Sequence, residues 1–373
     1  MSSSRELYNR LITMMNQLVA PAHIHHLTNW AWIVVGILQS NSVALSQIAT
    51  HLPGEIKAES RVTTIRRWLK NLKVDVWSLY QPILAQLVAG WQATEAVVIL
   101  DGLSVFGDRW QIFRLSLMHG RRAIPLVWKV VAGKGLTHRE VLEPMLRQAA
   151  EFLRPRVPAV RCLADAGFRD CDWAVLCEEM GWHYAIRIAC NTYLTDAAGA
   201  SAALNARVPV GRNRYFQNVW LTQALKLHTN ISVTWTDTTP VEMVAVISDQ
   251  PAGPKRLREY ALRMAVEQSF RDDQSGGFDL EHTRLQHAER LERLLLAVAL
   301  ATVWCHELGE HVLDTGETAR TEIDPSHRRE LSLFQLGLRW LKRCVSLQLH
   351  RLPAFRARLS PLRLKPVVKL ALS

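Results

Sequence analysis

Cysteine is scarce in this chain and poorly spaced for cross-linking. Its six cysteines, Cys162, Cys171, Cys177, Cys190, Cys305 and Cys344, form no Cys-x-x-Cys pair and no usual zinc spacing, which excludes a disulfide framework and a zinc module and leaves reduced, mostly buried thiols. Long apolar runs are also missing. The longest apolar one, Leu294 to Cys305, is about half of the ~20 residues a membrane helix needs, so no span and no membrane partner are expected. The opening Met1-Ser-Ser-Ser-Arg5 lacks the charged-then-apolar pattern of a signal peptide, and a cytoplasmic protein is expected. Repeats and low-complexity tracts are absent.

Acids are in deficit: 34 Asp and Glu stand against 45 Lys and Arg, a formal charge of +11. That excess suggests a polyanionic partner rather than a neutral small molecule. It is uneven. Thr321 to Ser373 holds eleven basic residues against three acids, and Glu55 to Lys73 six against two; both stretches suit phosphate. Hydrophobic residues at 49% are enough for a globular core, and 373 residues allow two or three domains at about 100 to 200 residues each.

The spacing of apolar residues predicts helices over Glu6–Leu18, Leu27–Gln39, Ala44–Leu52, Val62–Leu72 and Val76–Leu87, a helical domain over residues 1–90. In the fourth helix, with Ser60 as a possible N-cap, Ile65, Trp68, Leu69 and Leu72 share one face and Arg66, Arg67, Lys70 and Lys73 the other. This is either a DNA-contacting helix pair or a bundle with a solvated basic face; the long connection Pro53–Arg61 exceeds the usual three or four residues of a helix-turn-helix. The cluster His23-Ile-His25-His26 lacks acid or Cys partners and reads as a polar helix start.

From residue 91 to about 290 the pattern changes. Strands are expected at Ala96–Asp101, Gln111–Leu117 and Ala123–Val131, then a helix, a strand Ala159–Asp165, a helix, and a strand Trp182–Ile188. Three antiparallel strands followed by alternating helix and strand is the order of a ribonuclease-H-like α/β fold. A β-rich insertion is expected at about residues 190–240, a strand at Val241–Ser248, a long helix at Pro254–Asp273, and a helical, basic C-terminal region over 291–373.

Asp101 and Asp165 each close a buried apolar strand, a place where a carboxylate is held rigidly at the rim of a sheet; taken singly, each is as well read as a turn cap. On the long helix Tyr260, Arg263, Glu267 and Gln274 fall on one stripe, which alone could be a solvated face with an Arg263–Glu267 ion pair. Three converging carboxylates without nearby Cys or His would call for a hard divalent cation, Mg²⁺ or Mn²⁺, and two such ions serve phosphodiester cleavage and transfer.

The run Tyr260-x-x-Arg263-x-x-x-Glu267 resembles the Tyr-Arg-Glu-Lys signature of bacterial insertion-sequence DDE transposases of the insertion-sequence-four family. Asp165-Ala-Gly-Phe168 and Asp101-Gly102 resemble the motifs around that family's second and first Asp. The resemblance implies that Asp101, Asp165 and Glu267 coordinate two Mg²⁺, for which Mn²⁺ substitutes, and that Tyr260 and Arg263 hold the backbone of the transposon end. Where the family has Lys this chain has Gln274, which brings no charge; Arg271 is the expected compensation. Trp220 and Trp235 in the insertion are candidates for stacking on a flipped base or for a small β-core. Arg109, Arg114, Arg121 and Arg122 either rim the cleft or keep the first strands soluble. The implied activity is binding of terminal inverted repeats in double-stranded DNA, cleavage at the ends and joining of 3′-hydroxyls to target DNA, by a homodimer in the active complex. The competing classes are a DNA-binding relative without catalysis and a metal-dependent nuclease that never joins.

Overall fold

The computed structural model describes residues 3–20, 23–91, 93–119, 122–133, 139–168, 171–224, 226–273 and 277–360. Five helices come first: α1 (Ser3–Leu18), α2 (Ile24–Ser40), α3 (Leu45–Ala49), α4 (Ala58–Lys70) and α5 (Val76–Val88). α2 is apolar on nearly every side, burying Trp30, Ile33, Val34 and Ile37, as expected of a helix enclosed by others. α4 is amphipathic and buries Ile65, Trp68 and Leu69. Two expectations fail here. Leu72 lies beyond the end of α4 and is 78% exposed, and Ser60 lies inside the helix, which is entered from Lys57 without a side-chain cap. By contrast, Asp75 accepts the Ser78 N–H and caps α5.

The sheet begins with β1 (Glu95–Val105), β2 (Trp110–His119) and β3 (Arg122–Ala132), an antiparallel meander. α6 (Arg139–Leu153) leads to β4 (Ala159–Ala164), and α7 (Cys171–Glu179) to β5 (His183–Ile188). β4 pairs parallel to β1, and β5 parallel to β4. The succession of three antiparallel strands and then alternating helix and strand is the one read from the sequence, and in space the strands lie in the order β3-β2-β1-β4-β5. Then follow β6 (Tyr193–Thr195), β7 (Ser201–Ala203), α8 (Leu204–Arg207), β8 (Arg214–Leu221), β9 (Leu227–Trp235) and β10 (Met243–Ser248). The inserted strands do not form a separate sheet: β10 joins β5 to β9, so all ten strands share one sheet.

Alternation along β1 sends Val98 and Leu100 into one apolar cluster and Val97 and Ile99 into another. The second cluster receives α9 (Pro254–Tyr260) and α10 (Met264–Asp273) through Leu257, Tyr260 and Val266. The single long helix expected here is interrupted by a 3₁₀ turn at Ala261–Arg263. α11 (Ala288–Thr315) is buried on almost all sides between Leu291 and Val312. Its apolar run therefore belongs to the core, and no helix among the described residues is long and apolar enough to cross a membrane. α12 (Glu317–Thr321) and α13 (Leu333–Leu347) follow. α13, capped by the Ser332 hydroxyl, packs along α11. One continuous core contains residues of the N-terminal helices, the sheet and α11–α13, and buried Arg293 of α11 donates to the carbonyls of Leu69 and Val74.

Candidate functional site

Asp101 does not end its strand. β1 runs on to Val105, paired with β2 alone; Gly102 and Ser104 break the apolar pattern there, so the pattern ends before the strand does. The parallel ladder does end at that point, with Leu100 opposite Ala164. Asp101 and Asp165 are the next residues on two adjacent parallel strands, so ladder register sets them side by side. Asp101 is 6% exposed. Its Oδ1 accepts the Gly102 N–H at 2.8 Å.

Asp165 is fixed by the residues that follow it. Its Oδ1 accepts the Gly167 N–H at 2.8 Å, and a Cβ on residue 167 would lie 2.9 Å from that oxygen. Glycine is needed for this close approach. Phe168 is buried edge-on against Phe113 and Trp173, which anchors the turn into the core.

Above the two Asp residues stand the side chains of α9, the 3₁₀ turn and α10. Arg263 donates from Nη1 to Asp101 Oδ2 at 2.8 Å and from Nη2 to Glu267 Oε1 at 2.7 Å. Its guanidinium carbon is 5.9 Å from the Tyr260 ring centre. Tyr260 is buried and its hydroxyl has no hydrogen bond of good geometry among the described residues. Burial pushes Asp101 up to about 6; Arg263 pulls it down, while the charges of Asp165 and Glu267 push it up further. The pocket thus carries more negative charge than its arginine neutralises.

A network of buried arginines and glutamates that no sequence motif carries builds the surroundings. Arg161 of β4 reaches Glu95 at 2.8 Å and Glu259 at 3.3 Å, and Arg256 reaches Glu259 at 3.0 Å. This buried network pins α9, and with it Tyr260, over β1 and β4. Its signal was a lone charge within Ala159–Ala164. Arg114 is 3% exposed and stands opposite Asp101 in the β1–β2 register; it is buried, so it does not serve to keep these strands soluble. Arg122 lies 3.6 Å from Asp272, and Arg109 stands beside the Trp110 ring. Arg121, Gln274 and the side chain of Arg271 lie outside the described residues.

The other candidates lie apart from this cluster. Arg66, Arg67 and Lys70 are exposed on α4. Trp220 is 42% exposed on β8, its ring 5.0 Å from that of His228, whereas the Trp235 indole donates to the Arg212 carbonyl at 3.1 Å. His26 is buried, with its carbonyl bonded to Trp68 Nε1 and its ring to Asn71. No group of three or more His, Cys, Asp or Glu close enough to hold a metal occurs among the described residues.

The geometry therefore defines a mixed α/β protein with a carboxylate cluster over the end of its parallel ladder, bridged by arginine. A family model described as a transposase DDE domain matches residues 118–304, half of the chain, and the protein belongs to this DDE transposase family. The matched stretch holds Asp165, Tyr260, Arg263 and Glu267; Asp101 precedes it. No curated protein matches. Among solved structures, the cryo-EM structure of the piggyBac transposase synaptic complex with hairpin DNA aligns over 94% of this chain and 80% of that chain, at 10% identity and a TM-score of 0.43, a likeness too slight to carry an argument.

Proposed function

We propose that this chain is a transposase of the insertion-sequence-four type, with Asp101, Asp165 and Glu267 as the ligands of two Mg²⁺ ions. The observation that carries this reading is the adjacency of Asp101 and Asp165 at the ladder's end, with Glu267 joined to Asp101 through Arg263. An all-oxygen donor set with surplus negative charge suits Mg²⁺ or Mn²⁺. Bound there, such ions would activate the attacking oxygen and stabilise the leaving one. The chain's own groups do the rest: Tyr260 and Arg263 hold the backbone of the transposon end, and the sheet keeps both Asp residues in place. In cleavage water attacks phosphorus and the transposon's 3′-oxygen leaves with a proton; in joining, that 3′-hydroxyl attacks a target phosphodiester and releases a target 3′-hydroxyl.

In this reading residues 1–90, with Arg66, Arg67 and Lys70 on phosphate, form the end-binding helical domain, 91–290 the catalytic domain and 291–373 the basic C-terminal region. Exposed Trp220 is the better placed of the two tryptophans to stack on a base. Two ends imply two copies of the chain. The test incubates the purified protein with Mg²⁺ and linear DNA carrying the inverted repeats that flank its own gene, beside Asp165→Ala. Cleavage at the repeat boundary, reduced at least a hundredfold in the variant, is the expected result. Specific binding without cutting in Mg²⁺ or Mn²⁺ would instead identify a DNA-binding relative.

A further inference from the structure

We propose that Arg263 is a counter-ion switch: in the metal-free protein it occupies the oxygens of Asp101 and Glu267 that a divalent ion needs, and it must leave them before metal binds. The inference rests on the reading of these carboxylates as metal ligands. Asp101 has one oxygen committed, since Oδ1 accepts the Gly102 N–H. The other, Oδ2, is the one Arg263 holds, at 2.8 Å, while its second limb holds Glu267 Oε1 at 2.7 Å. A guanidinium and a divalent ion compete for the same lone pairs, and the planar fork fits two carboxylates as a single point charge does not.

The backbone supplies a means of release. Arg263 is the last residue of the 3₁₀ turn between α9 and α10. A 3₁₀ turn advances about 120° per residue and an α-turn about 100°, so rewinding these three residues would rotate Arg263 relative to Asp101. The side chain of Arg263 is 12% exposed and that of Glu267 37%, so the open side of the pair is the Glu267 side. A phosphate arriving there gives the guanidinium another partner and frees both carboxylates. Metal and DNA end then favour the same released state, and by linkage each must raise the affinity for the other.

The test measures Mn²⁺ binding to the metal-free full chain by electron paramagnetic resonance, without DNA. Arg263→Met keeps the apolar stem and should bind Mn²⁺ at least tenfold more tightly than the parent protein; Arg263→Lys, which retains a charge but not the fork, should fall between. Adding Asp101→Asn to Arg263→Met should remove the gain. Mn²⁺ should also raise the melting temperature of Arg263→Met more than that of the parent, a readout that a purely structural arginine would not give. Equal or weaker binding by Arg263→Met, still lost with Asp101→Asn, would overturn the switch alone. Binding that ignores Asp101→Asn in both backgrounds would overturn the metal-ligand reading with it.

Discussion

Arg161 carries a charge into the middle of an apolar strand and is 6% exposed there. Burying it is tolerable because Glu95 and Glu259 lie within 3.3 Å. Breaking such a pair strands the remaining charges and typically costs about 3 to 5 kcal/mol. Arg161→Met should therefore lower unfolding stability by about 3 kcal/mol, read from the urea midpoint, and adding Glu95→Gln, which removes the carboxylate paired with Arg161 alone while Glu259 keeps Arg256, should return part of it. If Arg161→Met alone is neutral, the network does not hold α9. At this scale the sequence exposed the odd residue but not its partner, since Glu259 lies far along the chain. Asp165-Ala-Gly-Phe168 was easier to read, because its constraint is local: Gly167 sits against the carboxylate it donates to.

Between elements, the tightest approach is that of α11 and α13. A Cβ on Gly337 would fall 1.7 Å from the Cys305 carbonyl oxygen, and one on Gly309 2.1 Å from that of Leu333. Backbone cannot yield as a side-chain tip does, so the helices would have to separate. Gly337→Ala should cost about 3 kcal/mol, at the upper end for overpacking, as a drop in melting temperature; an unchanged melt would mean that the two helices part there at little cost. Helix and strand periods revealed most elements, because amphipathic spacing is a local property. They did not reveal the 3₁₀ break at Ala261–Arg263, where the residues are good helix formers apart from their tertiary contacts; we attribute the break to Arg263 reaching down to β1. Nor did they show that the inserted strands would continue the main sheet through β10, since pairing partners are not written in periodicity.

At the scale of the whole molecule, the two ends of the described chain are tied together by an extended strap. After α13, Leu352, Phe355, Ala357 and Leu359 are buried, with Phe355 stacked 5.0 Å from Trp304. The intervening N–H groups of Arg356 and Arg358 donate to the two oxygens of Glu307, and that of Ser360 to Glu310, each at 2.8 Å. Arg10 of α1 donates to the Leu352 carbonyl at 2.7 Å. Burial pushes Glu307 from its ordinary 4.5 up to about 7, with the charge of Glu310 adding to the rise and the two N–H groups and Arg356 opposing it. Between those pH values the folded chain keeps a proton that the unfolded chain has released. This contribution to stability is complete below about 4.5, is lost as pH rises through about 7, and is constant above that. Glu307→Gln has no such proton. Although it accepts one N–H fewer at every pH, its stability relative to the parent should rise by about 2 kcal/mol between pH 5 and pH 8. Urea midpoints measured across that range for both proteins are the check, because Asp101, also raised, titrates alike in the two and cancels in their difference. Parallel profiles would show that Glu307 is ionised throughout and that the strap is held without regard to pH.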